Sequence, residues 1–209
     1  MVNVCCVFYG DKYETIYVQN LYNMVKRHLT KPFKFHCFTD HTKIHKMVEG
    51  DIIFKPFPRH DFEGWWNKLQ LFNPETGLQG VNFYMDLDVV ILKNIDCFVE
   101  HGNEMDFGIT RDFGQPDNTY NSSVMKWNNA NMSDVIWKQY MNERVKHRKL
   151  QGDQNVITHY VQGKPFLKPF PNEWTQSYKW FDRSKTRFHK SKWTFEKNPN
   201  AKICVFHGR

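Results

Sequence analysis

No apolar run in the 209-residue chain approaches the roughly 18 residues that a bilayer-crossing helix needs, so a helical membrane protein is not expected. The opening Met1-Val2-Asn3-Val4 leads straight into a strand-like segment without a cationic leader region, and a cytoplasmic setting is expected. Internal repeats and low-complexity tracts are absent, which removes solenoids, propellers and disordered arrays. The five cysteines show no CxxC or zinc-finger spacing. Buried free thiols in a reducing compartment are therefore expected rather than a disulfide framework.

What is present is globular. Hydrophobic residues at 40% and charged residues at 24% suit one domain with a substantial core. Lys and Arg number 29 against 22 Asp and Glu, a net charge of +7 that favours a polyanionic partner: nucleic acid, a phosphorylated ligand, an anionic glycan or a membrane surface. Aromatic content of 16%, including seven Trp, implies an aromatic core or stacking platforms for sugars or bases.

Strands and helices alternate along the sequence. Residues 2–8 form a β-rich run, followed by a helical pattern carrying Ile16, Leu21, Val25 and Leu29, with Asp11 and Glu14 at capping-box spacing. Strands are expected over 33–38 and 51–57, then a helix over 62–72 in which Trp65-Trp66 reads first as packing and second as a sugar platform. The run 81–92, broken by Asp86-Leu87-Asp88, is the best candidate for a central strand. Short strands around 107–110 and 123–127 precede helices over 133–149 and from Gly152. Residues 169–199 read as a long loop before a last strand over 201–206. This is the order of a single α/β domain with a mixed, mostly parallel sheet flanked by helices.

Asp86 and Asp88, at i and i+2 on an extended chain, project to one side. Two carboxylates within a buried run are costly unless a cation neutralises them, and paired carboxylates with open positions suit Mn2+ or Mg2+, especially where a diphosphate supplies further oxygens. The bland reading makes them turn or capping residues at a strand end.

The segment Phe83-Tyr84-Met85-Asp86-Leu87-Asp88-Val89-Val90-Ile91-Leu92-Lys93-Asn94-Ile95 resembles the Asp-x-Asp region of GT-A-fold glycosyltransferases that use nucleotide sugars, particularly the glycogenin-like group. The likeness continues in order through Asn67-Lys68-Leu69, Asn121-Ser122-Ser123-Val124, Gly152-Asp153-Gln154 and Phe206-His207-Gly208. Ser123 stands where the family has glycine, and His207-Gly208 lacks the usual intervening residue. A looser likeness is to compact virus-encoded glycosyltransferase domains that build capsid glycans, which would place the enzyme in a host cytoplasm.

The resemblance implies a GT-A (Rossmann-like) catalytic domain over 1–209, with a nucleotide-binding half over about 1–95 and a sugar and acceptor half over about 96–209. It implies Asp86, Asp88 and His207 as metal ligands, with Phe8 or Tyr9, Asp40, Lys68, Leu87 and Arg209 around a nucleotide, most naturally uridine diphosphate. Asn121, Ser122 and Asp153 would hold the transferred sugar, and Asp153 with Gln154 would lie at the reacting carbon, with retention of configuration. Trp174, Tyr178 and Trp180 are the expected acceptor contacts on a glycan or glycoprotein, and the basic run from Arg144 to Lys149 offers a peripheral membrane contact. The abrupt stop after a buried strand suggests the N-terminal part of a longer polypeptide. Two other readings compete. A sugar nucleotidyltransferase would want a Gly-rich loop where Phe8-Tyr9-Gly10-Asp11-Lys12 stands, and a basic module binding glycan or nucleic acid gives Asp86 and Asp88 no purpose.

Overall fold

The computed structural model describes residues 1–114, 119–147, 150, 152–179 and 198–206. The first strand, β1 (Val2–Phe8), is a run of branched and thiol side chains suited to burial on both faces, and α1 (Thr15–His28) follows it. The expected capping box does not form: Glu14 is the N-cap without a side-chain bond, because the chain stays in a turn through Tyr13. The inward stripe is Val18, Leu21, Tyr22 and Val25, and Ile16 is left exposed.

Next come β2 (Phe33–Thr39), β3 (Ile52–Lys55) and a spiral over Gly64–Phe72, expected as an α-helix but wound as a 3-10 helix. The 81–92 run divides into β4 (Val81–Met85) and β5 (Val89–Ile91), which belong to different sheets and meet at the Asp86-Leu87-Asp88 corner. After α2 (Asp96–Glu100) lie β6 (Phe107–Arg111) and β7 (Tyr120–Asn128). A helical run follows, formed by α3 (Asn129–Met132), a π-helical stretch (Ser133–Lys138) and α4 (Gln139–His147). The chain then forms α5 (Asp153–Val161), β8 (Leu167–Pro169), β9 (Thr175–Ser177) and β10 (Ile203–Val205).

The large sheet has the order β3-β2-β1-β4-β7-β6-β8, so β4 is central as the sequence suggests. Among the described residues β7 alone runs against its neighbours, leaving the sheet mixed and mostly parallel. A smaller sheet, β5-β10-β9, covers one end. The two-residue period of the strands sorts the core: Cys6 and Phe83 face one hydrophobic cluster with α1, while Cys5 and Tyr84 face the other with the 3-10 spiral and α5. Much of the aromatic content is spent there, as where the fully buried Trp127 packs 5.2 Å from Phe72.

Candidate active site

Because β1, β2 and β4 are parallel, their carboxyl ends share one edge, the place where open α/β sheets receive ligands. The turn after β4 puts Asp86 and Asp88 on that edge, at the floor of a cleft of about 430 Å³. The second wall comes from β7. Thr110 pairs with Asn121 but Ile109 pairs with Met125, so the chain bulges over Ser122, Ser123 and Val124. Bulges of this kind re-aim side chains beside functional sites. Here Asn121, Ser122 and Ser123 line the cleft, and Ser123 O accepts the Asp86 N–H at 2.9 Å. The N-terminus of α5 brings Asp153 and Gln154, and the 3-10 spiral brings Trp65 and Lys68.

Lys68 is the electrostatic centre. Its ammonium is buried and lies 2.9 Å from Asp86 Oδ1, 3.1 Å from Asp153 Oδ2 and 3.1 Å from Ser122 Oγ, so all three donors are spent. Burial alone would lower its pKa, but the two carboxylates outweigh it and hold the pKa above the ordinary lysine value. Ser122 also donates to Asp153 Oδ2 at 2.7 Å. Burial works against ionisation of Asp86, yet Lys68 and the hydroxyl of Tyr84 hold its pKa below the usual carboxylate range. Asp88 differs: burial and the neighbouring charge of Asp86 raise its pKa, although Tyr13 donates to Asp88 Oδ2 at 2.6 Å. Lys12 in turn donates to the Tyr13 hydroxyl at 2.7 Å. Among the described residues Asp88 is thus the carboxylate still short of positive charge.

Asp86, Leu87, Asp88, Lys68, Asn121, Ser122, Asp153, Gln154 and Tyr9 all border the one cleft, although their sequence positions span more than half the chain. Leu87 itself is buried, in keeping with its apolar side chain. Other expectations need correction. Phe8 is only 2% exposed and packs in the core, because side-chain alternation along β1 turns it inward and leaves the ring of Tyr9 at the cleft. Asp40 is exposed and lies outside the lining, where its Oδ1 accepts the Gly10 N–H at 3.2 Å and ties the ends of β1 and β2 together. Lys68, expected to approach donor phosphate or sugar, has its ammonium on the two aspartates, the anionic partners that a buried cation needs.

Trp174, expected as an acceptor contact, packs on Phe98 and His101 at 5.1 and 5.4 Å between ring centres and lies outside the cleft lining. Arg144 is held by Asp61 and lies over the ring of Phe62, so it does not offer a free charge to a membrane. His207, Arg209 and Trp180 lie outside the described residues, as do Arg148 and Lys149. Among the described residues no three His, Cys, Asp or Glu side chains form a complete metal cage. Sequence reasoning missed Lys12 and Tyr13, whose link to Asp88 spans 75 positions, and Phe206 on the rim. It also ranked Trp65 as packing, whereas Trp65 is 60% exposed at the cleft and only Trp66 packs, stacked on Tyr140.

No family model matches the sequence, and no curated protein matches it by sequence. Solved structures do match by shape. The glycosyltransferase GlyE from Streptococcus pneumoniae TIGR4 superposes with a TM-score of 0.63 at 16% identity over 82% of this chain, which spans 46% of the GlyE chain. The galactosyltransferase LgtC, in complex with donor and acceptor sugar analogs, gives 0.65 at 13% identity over 99% of this chain and 87% of its own. An active-site mutant of LgtC gives 0.65 at 12% identity, covering 99% of this chain and 88% of that one. At these identities the likeness speaks to architecture, and the architecture is the GT-A fold of those glycosyltransferases.

Proposed function

We propose that the protein is a metal-dependent glycosyltransferase that moves a sugar from a nucleoside-diphosphate sugar, with uridine the favoured base, to a glycan or glycoprotein acceptor. The observation that carries this reading is the Asp86–Asp88 pair on the floor of a GT-A cleft, where no described Lys or Arg forms an ion pair with Asp88. A hard divalent ion fits that deficit, with Asp88 as its main ligand, the remaining oxygen of Asp86 beside it, and His207 expected as the third. Such an ion, when bound, supplies Lewis-acid charge for a departing diphosphate.

The chain's own residues prepare the site. Lys68 and Tyr84 hold Asp86 in place, and Tyr13 holds Asp88. Tyr9 presents the ring available for a base. Asn121 Oδ1 accepts the Ser123 N–H at 3.0 Å, which fixes its amide at the sugar end of the cleft. Asp153 Oδ2 accepts from Ser122 and Lys68, which fixes this carboxylate to orient the sugar. Retention, the outcome the glycogenin-like motif order implies, would have the departing phosphate assist the acceptor hydroxyl, whereas inversion would require a carboxylate base there.

The test is calorimetric binding and slow hydrolysis across a panel of nucleotide sugars, with and without Mn2+. Mn-dependent binding of at least one donor is expected, weakened about a hundredfold or more in Asp88→Asn. Asp88 is the residue to change because Asp86 also anchors the buried Lys68. Donor binding that ignores both Mn2+ and the Asp88→Asn change would sink the reading.

A further inference from the structure

Two exposed aromatic surfaces border the cleft without any part in holding the carboxylates. One is Trp65, 60% exposed on the 3-10 spiral. A Cβ added at Gly152 would lie 3.5 Å from its indole Nε1 and 3.7 Å from Cδ1, so the ring rests beside the residue that opens α5, next to Asp153 and Gln154. The other is Phe206, 37% exposed at the end of β10 and stacked on Tyr178 with ring centres 4.3 Å apart and planes within 18°. The Tyr178 N–H donates to Val205 O at 2.9 Å, extending the β9–β10 pairing and seating the stack on the small sheet. Trp65 and Phe206 therefore rise from different elements, the spiral against α5 and the small sheet, into one cleft.

Flat aromatic faces beside carboxylate and amide oxygens match a pyranose ring, which has an apolar C–H face and a rim of hydroxyls. The position beside Asp153 and Gln154 belongs to a different element from Tyr9, and on the reading above it falls at the sugar end rather than the base end. Among the described lining residues Asp86, Asp88 and Asp153 stand against Lys12 and Lys68, a local excess of negative charge that disfavours an anionic sugar even though the whole chain carries +7. We propose that Trp65, with the Phe206–Tyr178 stack, forms the acceptor subsite and grips an uncharged hexopyranoside by its apolar face. This deepens the glycosyltransferase reading and rests on it.

The probes are the methyl glycosides of glucose, galactose, mannose and N-acetylglucosamine, with methyl glucuronide as the charged comparator. Their binding to protein saturated with Mn2+ and UDP, or whichever of GDP, ADP and dTDP it binds, is read by saturation-transfer NMR. At least one neutral glycoside should bind, and more tightly than the glucuronide. Trp65→Ala should weaken it about tenfold, the loss of one ring's stacking, and Trp65→Phe should restore most of the affinity. Thermal melting confirms that each variant folds, as expected for an exposed side chain. A parent protein that binds none of UDP, GDP, ADP and dTDP in the presence of Mn2+ ends both proposals. One that binds a nucleotide but none of the neutral glycosides, that prefers the glucuronide, or whose Trp65→Ala variant binds as well as the parent, overturns this inference alone.

Discussion

At the scale of single residues, the buried ammonium of Lys68 decides how the site is held together. It compensates two carboxylates at once, and removing it leaves Asp153, 9% exposed, and Asp86, a quarter exposed, facing each other without a cation. Breaking a buried charge set from one side costs more than replacing the whole set with neutral groups. Lys68→Met is therefore expected to lower unfolding free energy by about 3 kcal/mol, discounted for the partial exposure of Asp86. Adding Asp153→Asn should recover part of that loss. Urea denaturation of the parent, the single and the double variant measures both effects. A Lys68→Met protein as stable as the parent would show that the triad is solvated rather than structural.

At the scale of elements, the packing of β6 depends on a missing side chain. Gly108 faces the ring of Phe170, and a Cβ there would fall 2.6 and 2.7 Å from two ring carbons and 3.3 Å from Lys126 Cβ. Glycine within a strand marks such a close approach. Gly108→Ala should cost about 2 kcal/mol through overpacking, and less than about 1 kcal/mol in a Phe170→Leu background, where the blocking ring is gone. Equal costs in the two backgrounds, measured by chemical denaturation, would place the strain elsewhere. Nothing in the local sequence marked this glycine, because Phe170 lies 62 positions away and only the β6–β8 pairing brings it near. The elements that were legible are those with their own periodicity: β1, the α1 stripe and the central β4. The 3-10 winding of Gly64–Phe72, the β7 bulge and the division of 81–92 between two sheets are set by tertiary partners, so a local pattern cannot show them.

At the scale of the whole molecule, the same division separates the readable part of the site from the rest. Asp86 and Asp88 stood out because charge inside an apolar run violates a local rule. Tyr13, Trp65 and Phe206 break no such rule and became visible only when the sheet closed the distance between them. That closure can be measured through the cysteines, which are distributed over both sheets and α2 and are all free thiols. Burial raises the pKa of Cys5, Cys6 and Cys204, that of Cys204 to about 11, and an inaccessible thiol that stays protonated is inert. Cys37 is buried as well, whereas Cys97 on α2 is half-buried. In the native protein a chromogenic disulfide reagent should therefore modify Cys97 first, and the other four at the rate of global unfolding, with all five reacting at once in denaturant. If Cys204 reacts early while Cys5, Cys6 and Cys37 stay protected, the small β5-β10-β9 sheet opens separately from the large one. The wall that carries Phe206 and Tyr178 would then open independently of the carboxylate floor.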